Sequence, residues 1–242
     1  MKVIEPIAKI ISPREDEYSD LAMHIEAAGR TCYKSEPAKL PDNNFMFGFA
    51  RKMLNNGHLA MLEFADVIVR IVCDRGVSHE LVRHRIASYA QESTRYCNYS
   101  KDKFGNKCTF IRPVFWKEGS PEYHMWKNAM QHSEDAYFKL LENGASAQEA
   151  RSVLPNSLKT EIVVKMNVRE WLHFFNLRCD VKAHPQMRQI AISLLILFHT
   201  YIPVLFEQEY NYLYDNQMNE FVLKVISDTY EQIERGEAFD VY

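Results

Sequence analysis

The chain has 242 residues, 47% apolar and 25% charged, which suffices for a sizeable core and suits one globular catalytic domain, 1–242. A formal charge of −3 excludes bulk nucleic-acid affinity, which needs a broad basic face. Met-Lys-Val-Ile-Glu-Pro at the start lacks a signal-peptide layout, charges interrupt every apolar run long enough to span a membrane, and the five cysteines form no CxxC pair, so a cytoplasmic protein with reduced thiols and no membrane segment is expected.

In chain order, Val3 to Ile11 alternates and stops before Pro13, which predicts a strand. A helix follows from Ser19, with Leu21, Ile25 and Ala28 on one side, Gly29 near its end and Arg30 to Tyr33 as a polar exit. Asp42 opens a second helix through Leu54, Gly57 supplies a left-handed cap, and His58 comes directly after it. Glu63 to Asp74 is predicted as a long strand covered on both faces, with Val67, Val69, Ile71 and Cys73 on one and Ile68 and Val72 on the other. Arg75-Gly76 then turns the chain into a short helix, 77–84.

That helix delivers Arg83-His-Arg-Ile-Ala-Ser-Tyr-Ala-Gln-Glu-Ser-Thr-Arg95, with three arginines, a histidine and three small hydroxyl residues in a slightly acidic protein. Guanidinium groups fork onto phosphate or carboxylate oxygens, and a helix end followed by a loop is a usual place for binding residues. An anionic ligand is the functional reading; a solvated basic patch is the bland one, and periodicity does not separate them.

Further on, 97–107 is predicted as an exposed loop carrying Asp102 and Lys103, and 108–111 as a short strand. Ser120-Pro121-Glu122 has the hydroxyl cap, N1 proline and acid of a helix start, and Gly144 is its stop. Ser146-Ala-Gln-Glu149 matches a capping box leading to Arg151 and Leu154-Pro155. Leu158 to Asn167 alternates as a strand, and Asn167-Val-Arg-Glu170 caps a helix carrying Trp171, Phe174, Phe175 and Arg178. Arg188 to Phe206 is predicted as the central buried helix, bent or broken at Pro203, and Asn216 to Arg235 as an amphipathic helix ended by Gly236. The irregular order of strands and helices predicts an α/β fold of the α+β type, an antiparallel or mixed sheet flanked by helices.

His79-Glu80 and His84 do not make a zinc motif, since the histidines are five apart rather than four, and no metal is expected. GxGxxG, Walker and GxSxG patterns are absent. Cys97 lies near Arg95, but no histidine partner is identifiable by spacing, so a structural thiol is the simpler reading. Arg151 and Arg178 fall in apolar helical contexts; an arginine on a buried face needs an anionic ligand or an internal carboxylate, and both stay open.

Residues 83–96, of the form RHRxASYxQxSxRY, resemble the RHR-x7-Ser signature of flavin-dependent thymidylate synthases, the ThyX family. Gly57-His58, Ala150-Arg151-x-Val-Leu-Pro155, Asn167-x-Arg169 and Asn176-Leu-Arg178 follow in that family's order, so the resemblance covers roughly residues 20–200. It implies an enzyme that makes dTMP from dUMP with FAD, 5,10-methylenetetrahydrofolate and NADPH, in a homotetramer with shared active sites. By position it implies FAD contacts from His58, Ala60, Arg83, His84, Arg85, Asn167, Arg169, His173 and His184. It implies dUMP contacts from Glu80, Arg83, Gln91, Glu92, Ser93, Thr94, Arg95, Arg151 and Arg178, with Ser93 as a binder and Arg178 beside the uracil ring favouring an ionised N3. The residues between Arg85 and Ser93 would set the distance from cofactor to substrate. Glu80 stands where better-known members have Gln, Cys32 where some have Ser, His173 where some have Asn, and two extra residues separate Arg178 from His184. Competing readings are a non-catalytic nucleotide- or RNA-binding protein stacking bases on Tyr89, Tyr96 and Tyr99, and a flavoprotein of this fold without synthase activity.

Overall fold

Pro6 splits the first apolar run, so the strand expected over 3–11 is two strands, β1 (Lys2–Ile4) and β2 (Ile7–Ser12). The structure, a computed structural model, describes residues 1–36, 43–101 and 105–239; Asp42 and the loop residues Asp102 and Lys103 lie outside them. Six strands and nine α-helices are found there. Four strands form an antiparallel sheet in the order β2-β3-β6-β4, flanked by helices, with β3 at Asp66–Asp74, β4 at Ala87–Gln91 and β6 at Lys159–Asn167. β1 pairs separately and in parallel with β5 (Thr109–Ile111), Val3 opposite Phe110. The chain divides into two units, one of residues 1–7, 71–83 and 90–162, the other of residues 8–70, 84–89 and 163–242.

In the first unit, Asp74 accepts from the Val77 amide at 2.8 Å and starts α3 (Arg75–Leu81). Arg75 and Gly76 are therefore the helix's first turn rather than a turn before it. α4 (Pro121–Glu142) begins where Ser120 accepts from the Tyr123 amide and ends before Gly144, whose φ of 89° supplies the left-handed step. The capping box at Ser146 and Glu149 is formed and starts α5 (Ala147–Ala150). Tyr123, Trp126, Met130 and Tyr137 of α4 pack with Tyr99, Cys108, Phe110, Ala150 and Leu158 into this unit's core.

In the second unit, α1 (Tyr18–Tyr33) runs straight through Gly29 and stops at Lys34, which takes the left-handed φ of 46°. Gly29 thus does not end the helix; a Cβ there would come within 2.6 Å of the Phe49 ring on α2 (Asn43–Asn55), so glycine permits the close approach. Glu63 and Phe64, expected to begin the long strand, instead close a 3-10 turn, Leu59–Phe64. Along β3, Val67, Val69, Ile71 and Cys73 are buried while Ile68 and Val72 are half-buried, so only one face is fully covered. α6 (Val168–Arg178) starts at Asn167, whose Oδ1 accepts from the Glu170 amide at 2.9 Å. The long apolar stretch is α7 (Pro185–Tyr201), and Pro203 opens a separate α8 (Pro203–Asn216), as the break at that proline requires. α9 (Glu220–Glu234) is capped by Asn219, so it begins four residues later than the amphipathic pattern suggests. Trp171, Phe174 and Phe175 of α6, Phe198 of α7 and Phe206 of α8 form a continuous aromatic cluster with centroids 5.1–5.9 Å apart.

Candidate functional site

Two groups of predicted residues emerge, one in each unit. In the second unit, an open cavity of about 560 Å³ is lined by Leu59, Glu63, Ile86, Asn167, Arg169, Glu170, Leu172, His173 and Asn176. α6 supplies most of it, since positions 169, 172, 173 and 176 recur at helical spacing on one side. His58 precedes the 3-10 turn and Ala60 lies on it, both exposed, and that turn contributes Leu59 and Glu63 to the wall. Arg85 is exposed two residues before β4, and exposed His184 is the N-cap of α7. Arg169 pairs with Glu63 at 2.5 Å, with both side chains about half exposed.

His84 is the exception in this group, because only 4% of it is exposed. Its Nε2 accepts from Arg178 Nε–H at 3.1 Å, its Nδ1 lies 3.3 Å from Glu170 Oε1, and its backbone carbonyl accepts from the Tyr89 hydroxyl at 2.6 Å. The ring also stands edge-on to Phe174, centroids 5.0 Å apart. Burial, reinforced by the charges of Arg178 and His173, pushes the His84 imidazole down from its ordinary 6.5 to about 4. Burial likewise raises the Glu170 carboxyl, against the pull of His173. The Tyr89 phenol is pushed up to about 12, by burial first and then by Glu170. Glu170 carries no ligand role in the sequence reading, and Tyr89 enters it only as a stacking residue of the competing nucleic-acid reading. The signal for Glu170 was its place one helical turn ahead of Phe174 on a capped helix, which was spent on explaining the cap.

The depressed histidine gives a pH prediction. Between pH 6.5 and 4 the unfolded chain holds the His84 proton and the folded chain does not, so stability falls as pH falls through that window and is fully present above it. The contribution is roughly 3 kcal/mol at most. Urea unfolding at pH 7 and pH 4.5 should therefore show a larger acid-side loss for the parent than for His84→Gln; equal losses would contradict the buried neutral ring.

In the first unit, the segment after β4 turns tightly, with the amides of Tyr96 and Cys97 both reaching the Ser93 carbonyl. Thr94 is buried and accepts from Arg151 Nη1 at 3.1 Å, so the structure brings Thr94 and Arg151 together. Arg151 itself is exposed on a 3-10 turn, which corrects its placement on a buried helical face. Arg95 is also exposed, bonded to Gln148 Oε1 at 3.0 Å and lying over the Tyr96 ring. Gln91 donates to Ser78 at 2.9 Å and Thr160 at 3.2 Å. Glu92 accepts from Lys159 at 2.9 Å and from the Tyr99 hydroxyl at 3.2 Å, so both of its oxygens have partners inside this unit. Burial opposes charge on Lys159, but the hydrogen bonds it donates to Glu161 and Glu92 outweigh it and hold the ammonium above its ordinary value. Glu80 is half-buried on α3, and Arg83 is exposed just beyond that helix. The stretch from Arg85 to Ser93, expected as loop, contains the strand β4.

Chemically, the first group offers exposed guanidinium groups and backbone amides to an anion. The second offers apolar walls from Leu59, Ile86 and Leu172 beside the amides of Asn167 and Asn176 and the cation of Arg169, a donor set that fits a planar heterocycle with polar edges and a phosphate. His84, Glu170 and His173 place ligand atoms within 4.8 Å of one another, which is close enough to hold a metal ion. The bond from Arg178 argues against that use: arginine only donates, so His84 Nε2 must carry the lone pair and Nδ1 the proton, where a metal on Nδ1 requires the reverse. No disulfide joins the five cysteines, and burial raises the thiols of Cys73, Cys108 (to about 12) and Cys179, so these three are poor nucleophiles. Among the described residues, no helix is long and apolar enough to cross a membrane.

Comparison with known proteins gives a consistent answer. The chain matches the family described as thymidylate synthase complementing protein over residues 16–204. It is 36% identical over 187 residues to a flavin-dependent thymidylate synthase of Geobacter sulfurreducens, covering 75% of this chain and 79% of that protein. It is 37% identical to the enzyme of that name from Pyrococcus furiosus over 145 residues, covering 60% of this chain and 59% of the relative. To the one from Corynebacterium aurimucosum it is 32% identical over 76% of this chain and 78% of that protein. A family match across most of the chain, with a relative above 30% identity covered over three quarters of its length, means that this chain belongs to the flavin-dependent thymidylate synthase family.

Proposed function

We propose that the protein makes dTMP by reductive methylation of dUMP, with FAD as cofactor, 5,10-methylenetetrahydrofolate as carbon donor and NADPH as reductant. The balance is dUMP, methylenetetrahydrofolate, NADPH and a proton to dTMP, tetrahydrofolate and NADP⁺. Carrying this reading is the cavity that gathers Asn167, Arg169 and His173 on one helix, in a chain of this family, with Arg178 at the end of the same helix. Bound flavin would supply the redox chemistry; the chain positions and polarises. His58, Ala60, His84, Arg85, Asn167, Arg169, His173 and His184, with Arg83, are assigned to the flavin. Glu80, Arg83, Gln91, Glu92, Ser93, Thr94, Arg95 and Arg151 are assigned to dUMP, with Arg95 and Arg151 as the phosphate donors. Arg178 acts on uracil, stabilising negative charge as N3 ionises and C5 becomes nucleophilic.

We extend the proposal to one catalytic domain, 1–242, a homotetramer and a cytoplasmic location. That β3, β4 and β6 each have residues in both units supports the single domain, and five cysteines joined by no disulfide suit a reducing compartment. The test is release of tritium from [5-³H]dUMP by the purified protein with FAD, methylenetetrahydrofolate and NADPH. Release dependent on all of them is expected, together with a yellow protein bleached by NADPH. A colourless protein that does not take up FAD and releases no tritium sinks the reading.

A further inference from the structure

Glu170 is the acid that the proposed reaction leaves without a task. It is 7% exposed, and at the third position of a helix such an acid commonly folds back onto the helix cap. Here Asn167 caps the helix through the Glu170 backbone amide, and the Glu170 carboxylate turns to the His84 ring instead. A carboxylate in so dry a place is costly unless its partner needs it.

Donor chemistry gives the contact a direction. Arginine has N–H groups and no acceptor, so the Arg178 Nε–H contact at 3.1 Å requires a lone pair on His84 Nε2. A neutral imidazole has one proton, which then sits on Nδ1 and points to Glu170 Oε1 at 3.3 Å. The sequence of bonds is Glu170 to His84 to Arg178. Also near the ring are His173, edge-on with its centroid 6.0 Å away, Phe174, and the Tyr89 hydroxyl, which donates to the His84 backbone carbonyl.

We infer that Glu170 is a positioning residue for the synthase reaction: by accepting the Nδ1–H of His84 it fixes the ring tautomer whose Nε2 receives Arg178, and so sets the orientation of the guanidinium that acts on uracil. The inference rests on the proposed function, in which Arg178 carries that role. Take the acceptor away and the ring is free to adopt the other tautomer; its Nε2–H then faces the Arg178 N–H, two donors in opposition, and the guanidinium must swing away. Buried second contacts of this kind, rather than the reacting group itself, decide whether a catalytic side chain is held within the tolerance its chemistry demands.

Two substitutions and one spectroscopic measurement test it. Glu170→Gln keeps an oxygen that accepts from Nδ1–H, whereas Glu170→Leu keeps the bulk and offers no acceptor. With flavin saturated, tritium release from dUMP should stay within about threefold of the parent kcat for Glu170→Gln and fall about ten- to a hundredfold for Glu170→Leu, the scale of one lost hydrogen bond to a charged group. Parent-like turnover in Glu170→Leu overturns the inference. So does a Glu170→Gln variant as impaired as Glu170→Leu, because charge and not the acceptor would then matter. Histidine-selective ¹⁵N NMR of the parent protein at neutral pH decides the point independently of any variant's folding. A His84 signal protonated on Nδ1 supports the inference and one protonated on Nε2 overturns it. Should the parent release no tritium, the functional reading fails and the catalytic role of Glu170 with it; turnover in the parent beside an indifferent Glu170→Leu removes the positioning role alone.

Discussion

Arg178→Ala should bind flavin as the parent does and lose dTMP formation by about 10²–10³-fold, the usual cost of removing a donor aimed at developing negative charge. The side chain ends α6 half-buried, with its Nε–H donating to His84 Nε2. Its charge would make ionisation at uracil N3 easier, and in alanine nothing replaces it. The cavity residues on the same helix that are proposed to hold flavin, Asn167, Arg169 and His173, are untouched, so the visible flavin spectrum is the control. Losing the arginine also removes one of the two neighbouring charges that hold His84 down, so the imidazole should titrate at a higher pH in the variant. Turnover near that of the parent would contradict the role given to Arg178.

Trp171→Ala should cost about 3–5 kcal/mol of folding stability, the range for deleting a large aromatic from a packed core. Trp171 is fully buried, its rings lie against Phe174, Phe175 and Phe198, and its Nε1–H donates to the Val67 carbonyl at 3.1 Å. Alanine therefore leaves a cavity among rings that cannot readily collapse and removes the indole donor from a carbonyl on β3, and the two penalties add. The expected readout is a lower urea midpoint with an unchanged slope. A midpoint shift worth under about 1 kcal/mol would mean that the cluster repacks freely, against its edge-to-face geometry.

How far the sequence carried depended on whether a signal was local. Ser120-Pro121, Ser146 with Glu149, Asn167 and Gly236 are punctuation marks whose chemistry acts within one turn, and each sits where the helix ends were expected. The family motif was legible because its residues are close together in the chain. What escaped was decided at a distance. β4 has the sequence Ala-Ser-Tyr-Ala-Gln with no apolar face, and it exists because an edge position beside β6 satisfies its backbone. Gly29 looked like a stop until Phe49 was found against it. Arg188, predicted merely to open the buried helix, is buried with a partner on each side, the Cys179 carbonyl and the Gln217 side chain, neither of which its spacing suggests. Arg151 and Glu170 exchanged expectations: the arginine thought buried is exposed, and the acid thought to belong to a cap is the one in the interior.

The cap of α6 also sorts what the cavity can recognise. Asn167 has one oxygen and one NH₂, and the oxygen already accepts the Glu170 amide proton. Among amides it is an open question at the outset which end greets a ligand, and here the helix has answered it before any ligand arrives. The NH₂ is the end that this bond leaves uncommitted, and as a donor it would meet a carbonyl, a ring nitrogen with a lone pair or a phosphate oxygen. Helix initiation and ligand polarity are thus one decision, and Asn167→Asp, which would cap the helix equally well, would present that guest with a repelling charge.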